Sequence, residues 1–151
     1  MSLHGIKLVT FDATNTLLKF RIPPWQFYTI IARDHGFKGS PDDVKTKMKD
    51  NFRMMWEKHP NFGRNTIAWE GCKPDKRIFE HALKLCKEPV KPSESLHIGD
   101  DYHKDYEGAR GAGWHALLVT SNIPEKPPAK GHVFNNLEEL SLAIEQQTLK
   151  L

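Results

Sequence analysis

Apolar residues recur with two different spacings along this chain of 151 residues, and the two spacings alternate. Short apolar runs predict buried strands, which lie at 6–11, 94–99, 114–120 and 133–134. Apolar residues three or four positions apart predict amphipathic helices, which lie at 24–35, 41–59, 76–86, 105–110 and 137–144. Strands that alternate with helices are typical of an α/β fold with a parallel sheet.

Two of the predicted helices begin with the same sequence signal. Ser40 is followed three residues later by Asp43, and Asn136 by Glu139, which is the spacing of a capping box. The helix after Ser40 carries four apolar residues at helical spacing. We expect them to pack against the preceding helix in an antiparallel pair, instead of forming a ligand surface; they are Val44, Met48, Phe52 and Met55.

Composition and charge exclude several classes of protein. The net charge is +3 and the basic residues are dispersed, whereas nucleic-acid binding needs a concentrated basic face, so we expect no nucleic-acid partner. The apolar runs are too short to cross a bilayer, and Lys7 makes the start of the chain a poor signal peptide, so we expect no membrane partner. Cys72 and Cys86 fit free thiols in a reducing compartment. We therefore expect a cytoplasmic protein, with mitochondrial and nuclear locations left open.

The strand at 94–99 ends in an acidic segment. Gly99 permits a turn, and Asp100, Asp101 and Asp105 follow it. Ligands of open α/β sheets bind beyond the carboxyl ends of the strands, where adjacent carboxylates are poorly solvated without a cation. Carboxylate oxygens are ligands that Mg²⁺ prefers, so one interpretation is a magnesium site. The other interpretation is a solvated, Asp-rich turn that caps the next helix.

Two more charged residues lie at the ends of predicted elements. Asp12 follows the first strand, and Asn15, which tolerates a positive φ, indicates a sharp loop that holds Asp12 at the rim of the sheet. The alternative is an Asx-turn that only ends the strand. Lys73 comes just before a predicted helix that Asp75 or a neighbouring residue caps. Such a lysine is commonly a solvated loop residue, but near two aspartates it would neutralise them and bind an anion as well.

Together these segments resemble three of the four motifs of the haloacid dehalogenase (HAD) superfamily. The resemblance rests on residues 12–17 (DATNTL), on residues 73–75 (KPD), and on residues 99–101 (GDD) with Asp105. Because the motifs occur in the family's order, with a strand before the first and the third, the set is more specific than any motif alone.

The resemblance implies a fold and a division of the chain. Residues 1–20 and 70–151 would form a Rossmann-like parallel sheet with flanking helices. Residues 21–69 would form a partial helical cap that covers the site and excludes water.

The resemblance also implies a nucleophilic mechanism. Asp12 would attack phosphorus in a small phosphorylated metabolite and form an aspartyl-phosphate. Lys73 would place a positive charge beside Asp12 and the phosphoryl group, and both Lys73 and Thr16 would contribute to phosphate binding, with Thr16 fixing the loop.

A magnesium ion belongs to the same implied mechanism. Asp12, the backbone carbonyl of Thr14 and Asp100 would hold Mg²⁺. Asp101 or Asp105 would steady the ion through water or a hydrogen bond. The ion would offset the repulsion between these carboxylates and the anionic substrate.

The chain departs from the family pattern in two ways. Phosphatases of the family have a second aspartate two positions after the nucleophile, and this chain has Thr14 there; losing a general acid–base group typically costs roughly 10²–10⁴-fold in rate. The Ser/Thr motif at the end of a second strand is also missing between Ala13 and Cys72. We therefore expect an internally shortened sheet that lacks two strands, with the strand at 6–11 at an exposed edge prone to self-association.

Three functions agree with this pattern. The first is a Mg²⁺-dependent phosphatase of HAD type, with little turnover expected from this chain. The second is a non-catalytic relative that retains metal or phosphate binding. The third, less favoured, is a haloacid dehalogenase, which would need no metal and would not require the acidic Gly-Asp-Asp segment.

Overall fold

The computed structural model describes residues 3–59, 72–122, 125–126 and 128–151. The chain divides into two compact units. The first consists of Met1–Lys19 and Gly71–Leu151, and the second of Phe20–Glu70, of which residues 20–59 are described. The role of the second unit as a cap stays a prediction.

A parallel four-stranded sheet forms the centre of the first unit. Its strands follow one another in chain order and are β1 (Leu8–Phe11), β2 (Ser95–Gly99), β3 (His115–Val119) and β4 (Val133–Phe134). This arrangement confirms the predicted α/β fold with a parallel, Rossmann-like sheet. All four carboxyl ends therefore lie along the same rim of the sheet.

Helices occupy both units. Those of the second unit are α1 (Pro24–Asp34) and α2 (Pro41–Lys58). Those of the first unit are α3 (Lys76–Lys84), α4 (Gly108–Gly111) and α5 (Leu137–Glu145), with a π-helical turn over Tyr102–Glu107 that leads into α4. The predicted caps are confirmed, since Ser40 and Asp43 bond reciprocally and Asn136 accepts from the backbone of Glu139. None of the helices in the described part of the chain combines the length and apolar character that crossing a bilayer needs.

The core of the first unit has two layers because β2 is buried on both faces of the sheet. On one face, Leu96 and Ile98 pack with Leu140 of α5. On the other face, Phe79 of α3 packs with Trp114, with ring centroids 5.4 Å apart. Apolar contacts on both faces thus fix the position of the carboxyl end of β2.

The second unit agrees with its predicted helices but only partly with their predicted packing. Val44 and Met48 are half-buried, whereas Phe52 and Met55 are exposed. The prediction that all four apolar residues of this face pack is wrong for the last two, because helical periodicity places residues on one face without showing how far the neighbouring helix extends over it. Cys72 and Cys86, in the first unit, are free thiols as predicted.

Among the strands that the structure describes, β1 lies at the edge of the sheet, the position that the shortened family pattern predicted. Its side chains Val9 and Phe11 are 39% and 44% exposed. An edge strand presents unpaired backbone groups, and exposed apolar side chains beside it favour pairing with another chain.

We predict that the chain self-associates through β1. Sedimentation velocity should show a sedimentation coefficient that rises with protein concentration for the wild-type chain, and Val9→Lys should suppress the rise because a charge beside the edge opposes pairing. Leu142→Lys, at an exposed position of α5, is the matched control and should associate like the wild type. A wild-type chain that stays monomeric at all concentrations would contradict the prediction.

Candidate active site

Three carboxylates meet at the rim of the sheet in the first unit. Asp12 follows β1 and Asp100 follows β2, and these strands pair in parallel with Phe11 opposite Ile98. Asp105 comes from the π-helical turn that begins just after β2. One carboxylate oxygen from each of Asp12, Asp100 and Asp105 lies within 4.8 Å of the others. Adjacent parallel strands therefore bring together residues that are 88 positions apart in the sequence.

Asp105 is buried in a network of hydrogen bonds. Its side chain is held through both oxygens: Lys73 Nζ donates to Oδ1 at 2.5 Å, His97 Nε2 lies 3.2 Å from the same oxygen, and the backbone N–H of Asp101 donates to Oδ2 at 3.0 Å. Burial would raise the pKa of Asp105, but the hydrogen bonds from His97 and Lys73 outweigh burial and lower the pKa to about 2. Asp105 is therefore an ionised carboxylate with a fixed position.

Lys73 joins two of the three carboxylates. Its Nζ donates to Oδ1 of Asp12 as well as to Asp105. Burial lowers the pKa of Lys73, but the hydrogen bonds to Asp105 and Asp12 and their negative charges outweigh burial and raise it. The lysine is therefore a charged group within the site and not a solvated loop residue.

Among the described residues, no lysine or arginine forms an ion pair with Asp100. Burial raises the pKa of its carboxyl group, and the negative charges of Asp105 and Asp12 raise it further. The hydroxyl of Thr16 donates to Asp100 Oδ1 at 3.5 Å, and the Asn15 side chain also bonds to this carboxylate. Asn15 adopts a φ of 64°, the positive value that its residue type suggested.

Asp101 and Thr14 differ from the other predicted site residues in their surroundings. The Asp101 side chain accepts a hydrogen bond from the backbone N–H of Lys104 at 2.9 Å and so caps the π-helical turn. Thr14 is exposed. Both residues, together with Asp12, Lys73, Asp100 and Asp105, line a cavity of about 240 Å³. All the predicted site residues except Thr16 thus border one small polar cavity.

Sequence reasoning did not single out His97 or Thr10. His97 is 5% exposed, and its Nδ1 lies 2.8 Å from the hydroxyl of Thr10 on the adjacent strand. The available signal was a histidine inside an otherwise apolar strand, because a buried polar side chain needs a partner. His97 and Thr10 thus connect the buried carboxylate of Asp105 to strands β2 and β1.

The donor set fits a hard divalent cation. All the candidate ligands are oxygens. Burial and the negative charges of Asp105 and Asp12 raise the pKa of Asp100, and a cation would offset both effects. Asp12 and Asp100 have side-chain oxygens there, and Thr14 lines the same cavity.

We predict that Asp105→Asn destabilises the protein by about 2–3 kcal/mol at neutral pH, because it weakens charged hydrogen bonds to Lys73 and His97. Asp101→Asn is the matched control and should cost little, since asparagine caps helices about as well as aspartate. Urea denaturation of each variant measures the two effects.

We also predict that the difference in stability between the wild type and Asp105→Asn depends on pH. The folded pKa of Asp105 lies below the ordinary value of 3.8, so its stabilisation is complete above that value and is lost as the pH falls towards about 2. The difference in stability between the wild type and Asp105→Asn should therefore shrink across this acidic range. A difference that stays constant between pH 5 and pH 2 would contradict the assigned network.

Known proteins are similar in sequence to this chain. The HAD-hydrolase-like family model matches residues 71–140. Haloacid dehalogenase-like hydrolase domain-containing protein 3 of Bos taurus is 48% identical over 61 residues, which cover 40% of this chain and 24% of that protein. The putative uncharacterized hydrolase C7D4.05 of Schizosaccharomyces pombe is 40% identical over 150 residues, covering 95% of this chain and 61% of that protein.

A third relative carries a specific name. Glyceraldehyde 3-phosphate phosphatase of Methanothermobacter thermautotrophicus is 35% identical over 78 residues, which cover 52% of this chain and 33% of that protein. The chain spans about a quarter of the length of the bovine relative and less than two thirds of each of the other two. The family model, these relatives and the motif residues around the acidic site together support a HAD-like hydrolase family for this chain.

Proposed function

We propose that this chain catalyses phosphoryl transfer of the HAD phosphatase type, with Asp12 as the nucleophile, Mg²⁺ as the cofactor and a phosphate monoester as the substrate. The observation that carries the proposal is the contact of Lys73 with both Asp12 and Asp105 beside Asp100. A relative named as a phosphatase supports the same chemistry.

Each charged residue has a role in this chemistry. A carboxylate oxygen of Asp12 attacks phosphorus, the bond from phosphorus to the leaving oxygen breaks, and an aspartyl-phosphate forms. Lys73 orients Asp12 and places a positive charge beside the phosphoryl oxygens. Asp105 fixes the ammonium group of Lys73 from the buried side. Thr16 fixes the loop through Asp100.

A bound Mg²⁺ would be held by Asp12, Asp100 and the carbonyl of Thr14, and it would neutralise charge on the phosphoryl group. Asp105 and Asp101 flank these ligands. Asp105 is held by Lys73 and His97, which suits a residue that steadies the ligands from outside.

Thr14 makes both halves of the reaction slow. A threonine hydroxyl neither protonates the leaving oxygen nor activates water near neutral pH, so formation and hydrolysis of the aspartyl-phosphate both lack an acid–base group. The same observation favours the second candidate function, a relative that binds Mg²⁺ and phosphate without turnover. Activity measurements separate the two.

We predict that Mg²⁺ raises the melting temperature of the wild-type chain and that Asp100→Asn removes this increase. In the presence of EDTA, the Asp100→Asn variant should melt at a higher temperature than the wild type, because the substitution removes a half-buried charge that two neighbouring carboxylates repel. Asp34→Asn, at an exposed position of α1, is the control and should retain the response to Mg²⁺. A Mg²⁺ response that survives in Asp100→Asn would exclude this metal site.

We predict that the wild-type chain hydrolyses an aryl phosphate slowly and only with Mg²⁺, and that Asp12→Asn abolishes hydrolysis. Thr14→Asp should raise the turnover number by roughly 100-fold or more, because it supplies the missing acid–base group. Stopped-flow absorbance follows release of the aryl alcohol. It measures formation of the aspartyl-phosphate in the first turnover and its hydrolysis in the later turnovers. Mg²⁺ binding with no release from either the wild type or Thr14→Asp would favour the non-catalytic function.

A further inference from the structure

A second, larger cavity lies beside the proposed phosphoryl site within the first unit. Its volume is about 420 Å³, and its walls come from the loop after β1 and from the carboxyl ends of β2, β3 and β4. Asn15 and Asp100 line both cavities, so these two residues form the boundary between them. A phosphate ester held at the smaller cavity therefore has space for its organic group in the larger one.

The walls of the larger cavity are rich in hydroxyl and amide groups. Leucine and valine side chains complete them, and the neutral polar side chains include Thr16, Thr120, Ser121, Asn122, Asn135 and Asn136. Amides and hydroxyls both donate and accept hydrogen bonds, as the hydroxyls of a polyol also do. Mixed polar and apolar walls are typical of small-molecule pockets of this size.

The charged residues that line this cavity limit the charge that a ligand's organic group can carry. Among the described residues that line the cavity, the charged ones are Lys19 and Asp100. Asp100 belongs to the carboxylate cluster and would repel a further anionic group. A second phosphate or several carboxylates on the organic group would thus face one lysine, whereas neutral hydroxyl groups would meet matching partners.

The segment after β3 carries the polar groups best suited to binding. Asn136 already accepts the backbone N–H of Glu139, and the Asn135 amide donates to the Glu139 side chain. By contrast, the described bonds of Asn122 involve its backbone N–H, which donates to Thr120 Oγ1. The Asn122 carboxamide and the neighbouring Ser121 hydroxyl are the groups that we assign to the ligand.

We propose that the larger cavity binds the organic group of the substrate and that this group is neutral and hydroxyl-rich, as in a polyol or sugar monophosphate. This inference rests on the proposed function, because it places the phosphoryl group at Asp12. Asn122 and Ser121 are specificity residues in this assignment, and Asn15 and Asp100 connect the two parts of the site.

Isothermal titration calorimetry of the full chain with Mg²⁺ tests the assignment. The probes are inorganic phosphate, n-hexyl phosphate, a hexitol monophosphate and a hexitol bisphosphate. The hexitol monophosphate should bind about ten-fold more tightly than the other three, since a ten-fold change corresponds to roughly 1.4 kcal/mol. Asn122→Leu and Ser121→Ala should each reduce this gain without changing the affinity for inorganic phosphate, and Gln146→Leu, at an exposed position after α5, should leave it intact.

The outcomes distinguish the inference from the proposed function. Two results would overturn only the assignment of the larger cavity to a hydroxyl-rich organic group. One is binding of inorganic phosphate with no higher affinity for the hexitol monophosphate, and the other is an equally high affinity for n-hexyl phosphate. A gain that persists in both Asn122→Leu and Ser121→Ala would place the hydroxyl-rich group outside this cavity. Absence of Mg²⁺-dependent binding by inorganic phosphate and by every ester would overturn both proposals.

Discussion

The site depends on the ion pairs that the ammonium group of Lys73 forms with Asp12 and Asp105. Three carboxylates within 4.8 Å of one another would repel strongly, and Lys73 compensates two of them, Asp12 and Asp105, by direct contact. Among the described residues, Asp100 receives no such contact, and burial together with the charges of Asp105 and Asp12 raises its pKa. The fold therefore retains a cluster of like charges that costs stability, as functional sites commonly do.

The position of Asp105 follows from the backbone beneath it. A Cβ atom at residue 99 would lie 2.2 Å from Asp105 Cγ, so this position must be glycine if the carboxylate is to reach Lys73. From the other side, His97 holds the same carboxylate and is itself bonded to Thr10. Two paired strands thus act as a rigid support, and a shift in their register would misplace the carboxylate.

Much of the fold and part of the site could be predicted from the sequence because their causes are local. Strand ends, caps and the positive φ of Asn15 depend on nearby residues, and the parallel topology then brings Asp12 beside Asp100. The different surroundings of Asp101 and Asp105 could not be predicted, since they depend on where the π-helical turn begins. His97 was missed for a related reason: its importance comes from partners on other elements.

The two cavities share the lining residues Asn15 and Asp100. Thr16 lines the larger cavity and donates to Asp100, while Asp100 also borders the smaller cavity. A cation that draws the Asp100 carboxylate towards Asp12 would change the acceptor available to Thr16, and the wall of the larger cavity would respond. Binding of the metal and of the organic group would then affect each other's free energy by the same amount, as linkage requires. Substrate preference in this chain would therefore depend on the bound ion as well as on the side chains that contact the organic group.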